Sequence, residues 1–240
     1  MKTNFPKMFL PAMFATCILL ASCDEEEKVE YSQNWVERAT LNPVGDRNVI
    51  WTDGGRNLLI ESSHLDNYNP TEGQRAFVNY TIRSNPDSSN YNVTLNNVVK
   101  ILTKDVAYLT TENQSEIGDD PVKIYSLWCS GGYLNVNFGF NYGFTATHLI
   151  NLVENKMIVH PEDGKVYLEF RHNAHNDPQS VARLGTVSFN LAPYKNGSNL
   201  VEFVIRAKDF QGEVEYHVHS DFLRNSDVGN DIKYSGDGFR

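Results

Sequence analysis

Apolar and polar residues alternate in short runs from Trp35 onward, and Gly, Asn, Asp and Pro separate the runs. An alternation with a period of two residues is typical of a strand that buries one face, and the separating residues are typical of turns. Few stretches show the longer period of a helix. The sequence therefore predicts an all-β protein built from antiparallel sheet.

Five strands are predicted in the first part of the chain, at residues 36–44, 48–52, 57–61, 74–83 and 91–103. The turn Asp53-Gly54-Gly55-Arg56 between the second and third strands is a strong hairpin signal, because glycine accepts positive φ at low cost. Five strands with a long last one fit a small closed barrel such as an OB-fold. We assign residues 35–112 to this OB-like barrel.

A polar stretch at residues 110–121 separates the barrel from a second set of alternating runs. The clearest of these runs lie at residues 134–140, 166–171, 187–191, 201–207 and 214–218. Six or seven strands with polar loops favour an antiparallel β-sandwich, which we place at residues 120–240. Residues 148–153 fit either a strand or a short helical turn, and residues 225–240 are predicted to be irregular.

The first 22 residues have the layout of a secretory signal: Lys2 and Lys7, an apolar segment at residues 8–20, and small residues before Cys23. The apolar segment is short for a permanent membrane helix. Leu20-Ala21-Ser22-Cys23 resembles the lipobox of bacterial lipoproteins, which implies that the signal is removed and that Cys23 is acylated. We therefore expect a lipid anchor in the membrane.

Four consecutive acids follow the cysteine, namely Asp24, Glu25, Glu26 and Glu27. Carboxylates are repelled by an anionic leaflet, so residues 23–34 are predicted to be an extended, solvated tether. The acidic run also resembles the signal that sends lipoproteins of some Gram-negative bacteria to the outer face of the outer membrane. We expect display on the cell exterior; the alternatives are a plain linker and the periplasmic face.

Charge and cysteine content narrow the range of partners. Loss of residues 1–22 removes two lysines and no acid, leaving 19 basic and 30 acidic residues and a formal charge of −11. Within residues 30–110, seven Lys and Arg face nine Asp and Glu, so an OB-like barrel of this charge is a poor candidate for nucleic acid. Cys129 is the single cysteine left beside Cys23, so no intramolecular disulfide is expected.

Three stretches carry a resemblance to a known family: Gly73-Gln74-Arg75-Ala76-Phe77-Val78-Asn79-Tyr80, Trp128-Cys129-Ser130-Gly131-Gly132-Tyr133-Leu134-Asn135-Val136 and Leu168-Glu169-Phe170-Arg171-His172-Asn173. On these residues the chain resembles the NigD-like lipoproteins. The resemblance implies an N-terminal OB-like domain, a C-terminal β-sandwich and an immunity or accessory role associated with bacteriocins. It implies no catalytic residue.

One strand face carries a candidate metal site. His217, His219 and Glu215 lie on the same face of a predicted strand, together with Glu213, while Val214, Tyr216 and Val218 face the other way. A His-x-His pair can present two imidazoles to zinc, and Glu215 can supply a third ligand. The alternative is a solvated outer face, where charged residues are common.

Two further positions receive structural interpretations. His172 and His175, followed by Asp177, have the spacing of a cation site, but His172 continues a buried face, which favours a hydrogen-bonded histidine at the edge of the core. Cys129 is interpreted as a small buried residue, because no electropositive setting surrounds it. No common catalytic or nucleotide-binding motif occurs in the sequence.

These observations favour a lipid-anchored, non-enzymatic binding or accessory module with no cofactor. The expected partners are the membrane and a protein or glycan at the cell surface, and the oligomeric state stays open. A metal-dependent hydrolase that uses the His217 and His219 face is the alternative from a different class.

Overall fold

The computed structural model describes residues 34–41, 48–178, 180–195, 197, 199–222 and the backbone of 233–234. The predicted signal, Cys23, the acidic run Asp24 to Glu27 and the tether therefore lie outside the described residues, as does nearly all of the predicted irregular tail. Among the described residues, no helix combines the length and the apolar character needed to cross a bilayer.

The first five strands close into a barrel. They are β1 (Asn34–Leu41), β2 (Val49–Thr52), β3 (Asn57–Ser63), β4 (Arg75–Ser84) and β5 (Asn90–Lys100). Their order around the barrel is β1-β2-β3-β5-β4, and the β3–β5 pair alone is parallel. Alternating side chains such as Val78, Tyr80 and Ile82 fill the interior, which confirms the predicted barrel.

The chain leaves the barrel earlier than the sequence suggested. β5 ends at Lys100, and the buried Ile101, which donates its amide to the Arg75 carbonyl (2.9 Å), lies between β5 and the next strand. The next strands, β6 (Leu102–Asp105) and β7 (Ala107–Leu109), pair with sandwich strands instead. No Gly, Pro, Asn or Asp lies between residues 98 and 104, so the sequence alone gave no sign of the change of sheet.

A single helical turn, α1 (Gln114–Ile117), lies in the polar stretch after β7. Eight strands follow: β8 (Lys123–Ser130), β9 (Tyr133–Tyr142), β10 (Leu149–Asn155), β11 (Val166–Asn173), β12 (Val181–Asn190), β13 (Leu200–Asp209), β14 (Gly212–Asp221) and β15 (Lys233–Tyr234). A 3₁₀ turn at Ala192–Tyr194 separates β12 from β13. Residues 148–153, which fitted two structures in the sequence, mostly belong to the strand β10.

The two sheets of the sandwich differ in size. The short sheet has the order β6-β12-β9-β8, and the long sheet has the order β15-β14-β13-β11-β10-β7. The predicted antiparallel sandwich is confirmed in its main lines, while β6–β12, β7–β10 and β11–β13 are parallel pairs. Inward side chains such as Val136, Phe170 and Phe203 form one core between the sheets.

Candidate functional site

Arg38 of β1 crosses from the barrel to the outer face of the short sheet. Its guanidinium donates to four neutral oxygens, those of Asn135 Oδ1 (3.4 Å), Ser188 Oγ (3.2 Å), Asn137 Oδ1 (3.5 Å) and Thr186 Oγ1 (2.9 Å). It also lies 4.9 Å from the ring centres of both Phe77 and Trp128. Burial and the second cation Arg75 lower the pKa of Arg38 to about 10, while Asp53 opposes the shift. Arg38 is thus a buried cation whose hydrogen-bond acceptors are uncharged.

Arg75 of β4 is the second buried arginine of this junction, and it is fully enclosed. It donates to both carboxylate oxygens of Asp53 (2.7 and 2.6 Å) and to Thr40 Oγ1 (2.8 Å). Asp53 also accepts a hydrogen bond from Ser130 Oγ of the sandwich (2.6 Å). The Tyr133 ring covers Arg75 at 5.1 Å. The carboxylate of the predicted hairpin therefore connects the barrel to the sandwich.

Two of the three family-like stretches meet at this junction. Arg75 and Phe77 come from the first stretch, and Trp128, Tyr133 and Asn135 come from the second. Buried charged groups are stable only when hydrogen bonds replace the water they lose. At this junction Arg75 and Asp53 form such hydrogen bonds with each other and with neighbouring side chains. The stretches therefore fix how the barrel packs on the sandwich.

The third stretch holds the connection between the domains. Asn173 Nδ2 donates to the carbonyl of Glu116 (2.7 Å) in α1, and Asp120 accepts the amide of Ala174 (2.7 Å). Arg171 reaches Asp119 in the same connection (2.7 Å). These contacts bind the polar stretch to β11, so it is a fixed part of the sandwich edge.

The outer face of the short sheet extends beyond the contacts that Arg38 of the barrel makes with it. The part beyond Arg38 is an open groove of about 640 Å³. Its lining residues are Tyr125, Ser126, Asn137, Phe138, Leu184, Gly185 and Thr186. Asn137 and Thr186 also hold Arg38, so the groove begins where the interface between the domains ends. Leu184 is 79% exposed and Tyr125 is 56% exposed, so both side chains leave apolar surface open to solvent in the groove.

Glycine and a bulge give the groove its shape. The register of β8 against β9 shifts between Ile124 and Ser126, which leaves Tyr125 as the extra residue. Its ring lies across Gly139, where an added Cβ would come within 2.8 Å of the ring. The bare backbone at Gly139 therefore lets Tyr125 lie flat and form one wall.

A smaller hollow of about 120 Å³ continues the groove and shares Tyr125 and Leu184 with it. Phe210 (48% exposed), Lys123 and Arg183 also line this end. Lys123 pairs with Asp209 (2.9 Å), whereas Arg183 lies over the Phe144 ring (4.9 Å) and forms no ion pair with the described residues. No acidic side chain lines either hollow, although the chain has an excess of acids.

A polar cleft of about 540 Å³ lies on another side of the junction. Its polar groups are largely used within the protein, since Tyr133 donates to the Gly73 carbonyl (2.7 Å) and Gln74 donates to the Ile101 carbonyl (2.8 Å). The groove has the more apolar lining of the two and is the stronger candidate for a binding site.

On the predicted metal face, carboxylates already contact the imidazole nitrogens. His217 lies between two carboxylates, Glu202 on β13 (3.2 Å) and Glu215 (3.0 Å), so both imidazole nitrogens face acceptors. His219 lies farther from Glu202 (3.8 Å). Sequence periodicity correctly places His217, His219 and Glu215 on one face, but it could not show Glu202. Among the described residues, no group of three or more His, Cys, Asp or Glu side chains is arranged to hold a metal ion.

His172 belongs to a buried chain of hydrogen bonds that the sequence did not show. Its Nε2 lies 2.9 Å from His148 Nδ1, and His148 Nε2 lies 3.0 Å from Asp177. Burial and the neighbouring imidazole of His148 lower the pKa of His172, although the charge of Asp120 and the backbone at Pro121 and Asp120 oppose this. His172 Nδ1 has no hydrogen-bond partner within the described part of the chain. His175 bonds the Thr147 carbonyl (2.7 Å) and does not join this group.

Asp177 closes the loop beside these histidines. Burial alone would raise its pKa, but hydrogen bonds from Thr145, from the Gly143 amide and from His148 together lower the pKa well below the usual range. The interpretation of His172 as a hydrogen-bonded histidine at the core edge agrees with this geometry. Cys129 is also buried, and it forms no disulfide with the described residues.

Comparison with known proteins assigns the fold to a family. Residues 39–101 match the NigD-like N-terminal OB domain, and residues 105–220 match the NigD-like C-terminal beta sandwich domain. No curated protein matches the chain.

Several solved structures are similar. A suspected toxin-related protein from Parabacteroides distasonis is 33% identical with a TM-score of 0.67, and the match covers 79% of this chain and 94% of that one. A NigD-like immunity protein from Bacteroides caccae is 18% identical (TM-score 0.56; 76% and 90% covered). A suspected lipoprotein from Bacteroides fragilis is 12% identical (TM-score 0.55; 78% and 98% covered). The two matched domains, in the order that the structure shows, make this chain a member of the NigD-like family.

Proposed function

We propose that this protein is a lipid-anchored, non-enzymatic binding module of the outer membrane, displayed on the cell exterior, that docks a partner protein in the groove of the short sheet. The observation that carries the proposal is the exposed apolar groove, which continues the interface between the domains. A concave, mostly apolar groove of about 640 Å³ has the size and character of many binding sites. A buried junction that fixes the two domains gives such a site a rigid support.

The N-terminal sequence supports the anchored location. A lipobox-like Leu20-Ala21-Ser22-Cys23 followed by Asp24 to Glu27 is the pattern of an acylated and exported chain. Several acyl chains give far firmer attachment than one. A relative described as a suspected lipoprotein has the same fold.

A role in immunity is one form of this proposal. The similar protein from Bacteroides caccae is described as an immunity protein, and immunity proteins act by binding. The hydrolase alternative has less support, because the carboxylates beside His217 already use its nitrogens.

A photo-crosslinking amino acid at Leu184 tests the docking site in intact cells that export the protein. We expect a defined adduct with one partner protein from position 184. The matched control is Val159, which is 99% exposed in the turn between β10 and β11 and should give none. Equal adducts from both positions, or none from position 184, would contradict the proposal.

Location is tested separately. Incorporation of an alkyne fatty acid should require Cys23, and a Cys23→Ser variant should remain unlabelled. Protease added to intact cells should digest the wild-type protein. A variant with Asp24 to Glu27 replaced by alanine should be protected until the outer membrane is broken, and the opposite pattern would reject surface display.

A further inference from the structure

We infer that the hydrogen-bonded chain of Asp177, His148 and His172 is a proton-operated latch, which holds two loops of the sandwich closed at neutral pH and releases them in mild acid. The loops are residues 143–148, between β9 and β10, and residues 174–178, after β11. The latch is independent of the proposed docking function. Three features carry the inference: the shared carboxylate, the pair of facing imidazoles and the strained backbone of both loops.

Asp177 joins the two loops. It belongs to the second loop and accepts hydrogen bonds from the first, from the amides of Gly143 and Thr145 (2.8 Å for Thr145) and from the Thr145 hydroxyl. His148, at the end of the first loop, donates Nε2 to the same carboxylate (3.0 Å). Because the Asp177 side chain is fully buried, its charge depends on these donors. The closed arrangement of both loops is therefore tied to this one carboxylate.

The two histidines can share only one hydrogen between their facing nitrogens. His148 Nδ1 and His172 Nε2 are 2.9 Å apart, so one of them donates and the other accepts. An imidazole that carries both of its protons is a donor at each nitrogen and cannot accept. If both rings are fully protonated, two N–H groups and two positive charges face each other. The contact at the centre of the latch therefore cannot persist when both rings are protonated.

The extra proton enters at His172. His148 Nε2 already carries a hydrogen, because it donates to Asp177. His172 Nδ1 is buried and has no hydrogen-bond partner in the described part of the chain, so the closed latch leaves a proton there without an acceptor. Burial and the imidazole of His148 lower the pKa of His172, whereas a solvated histidine takes up its proton near pH 6.5. Acid therefore favours the open form.

Acidic neighbours do not cancel this effect. The charged and titratable groups that face the pair are Asp177 on the second loop, Asp120 in the connection before β8 and Tyr142 on β9. Asp120 opposes the burial of His172 but does not reverse its effect, because the pKa of His172 is lowered overall. Tyr142 contacts His148 through its ring, with 5.0 Å between the ring centres. Burial and the repulsion between the imidazoles therefore decide when the latch opens.

The closed loops hold strained backbone. Phe144 on the first loop and His175 and Asn176 on the second have positive φ angles of 66°, 50° and 60°. Such angles are uncommon for residues other than glycine and are unfavourable for a bulky residue such as Phe144. Both loops therefore move toward ordinary backbone conformations once the latch no longer holds them.

Amide hydrogen exchange between about pH 7.5 and pH 5 tests the latch on the chain from residue 24, which contains the compact unit of residues 31–240. Rates are corrected for the intrinsic pH dependence of exchange. The protection of the Gly143 and Thr145 amides should fall by up to about tenfold per pH unit below about 6.5, because opening takes up one proton. The Leu41 amide of the barrel should keep its protection. Constant protection in the loops, or an equal loss in the barrel, would overturn the inference.

Two histidine variants test the assignment. His172→Gln places an amide that does not titrate near the position of Nε2, so its loops should be as protected at pH 5 as at pH 7.5. His175→Asn is the matched control, because it removes an exposed histidine of the second loop, which bonds the Thr147 carbonyl (2.7 Å), and asparagine tolerates positive φ. This control should keep the wild-type pH dependence. Its loss in His175→Asn, or its retention in His172→Gln, would reject the role of His172.

Nitrogen-15 shifts of the imidazoles in the wild type give a readout that needs no variant. Proton uptake at His172 should follow the same pH curve as the loss of Thr145 protection. A His172 ring that is fully protonated while Thr145 stays protected would show that the closed pair accepts both protons. That result would overturn the latch even if His172→Gln fails to fold.

Discussion

Replacement of Arg38 tests how the two domains are joined. In Arg38→Ala, two contacts between a cation and an aromatic ring are lost, at about 1 kcal/mol each. Thr186 Oγ1 and Asn137 Oδ1 lose a donor, at about 1 kcal/mol each. Removal of the buried side-chain stem costs about 2 kcal/mol more.

The desolvation of the cation opposes these losses. The pKa of Arg38 is lowered from 12.5 to about 10. Burying this charge therefore destabilises the folded state by about 3 kcal/mol. The alanine variant recovers this amount, so its net loss of unfolding free energy should be about 3 kcal/mol. Arg38→Met keeps the stem and part of the ring contacts, so its stability should stay within about 1 kcal/mol of the wild type.

Urea unfolding of the exported chain from residue 24 measures both variants. Tryptophan fluorescence and far-ultraviolet circular dichroism should report one shared transition in the wild type, and separate transitions in Arg38→Ala if the barrel loosens from the sandwich. A methionine variant as unstable as the alanine variant would refute the assigned cost of the buried charge. An alanine variant as stable as the wild type would refute the role of Arg38 in the junction.

Three further outcomes follow from the structure. Gly143→Ala should lower the free energy of unfolding by about 3 kcal/mol, because the new Cβ would lie 2.1 Å from the Pro178 carbonyl oxygen. Gly139→Ala should lower it by less than about 1 kcal/mol, because the exposed Tyr125 ring can move. Thermal unfolding that ranks the two variants in the reverse order would contradict this. His172 binds a proton near pH 6.5 in the unfolded chain and only at lower pH in the folded chain, because its pKa is lowered on folding. The free energy of unfolding should therefore fall as the pH drops below about 6.5. In thermal scans His172→Asn should flatten this pH dependence, and an unchanged slope would contradict the role of His172. Cys129 should react with a thiol reagent only at the rate of unfolding, and fast labelling of the native protein would show that it is not buried.

Sequence periodicity predicted most of the fold for a clear physical reason. Alternation in stretches such as β4 and β9 reflects one buried face, and the hairpin at Asp53 follows from local glycine geometry. The end of β5 was not predictable, because the residues that follow it pair with the distant strand β12. The parallel pairs are likewise set by long-range packing.

The candidate site depends on contacts between distant parts of the chain. Arg38 meets Thr186 across a separation of 148 residues, and periodicity carries no information about such a pair. Gly139 lies within a predicted strand and Leu184 received no prediction, and only the register places them opposite each other. Similarly, His217 and His219 share a face as predicted, but the neighbouring strand supplies the carboxylate that changes their chemistry.

The most direct test of the account is the crosslinking yield from position 184 in intact cells, measured against position 159. Docking in the groove predicts a single partner adduct from position 184. The same adduct should disappear in a variant that also carries Gly139→Val, because the valine displaces Tyr125 and reshapes the groove. Equal yields from the two positions, or an adduct unaffected by Gly139→Val, would contradict the claim that this groove is the binding site.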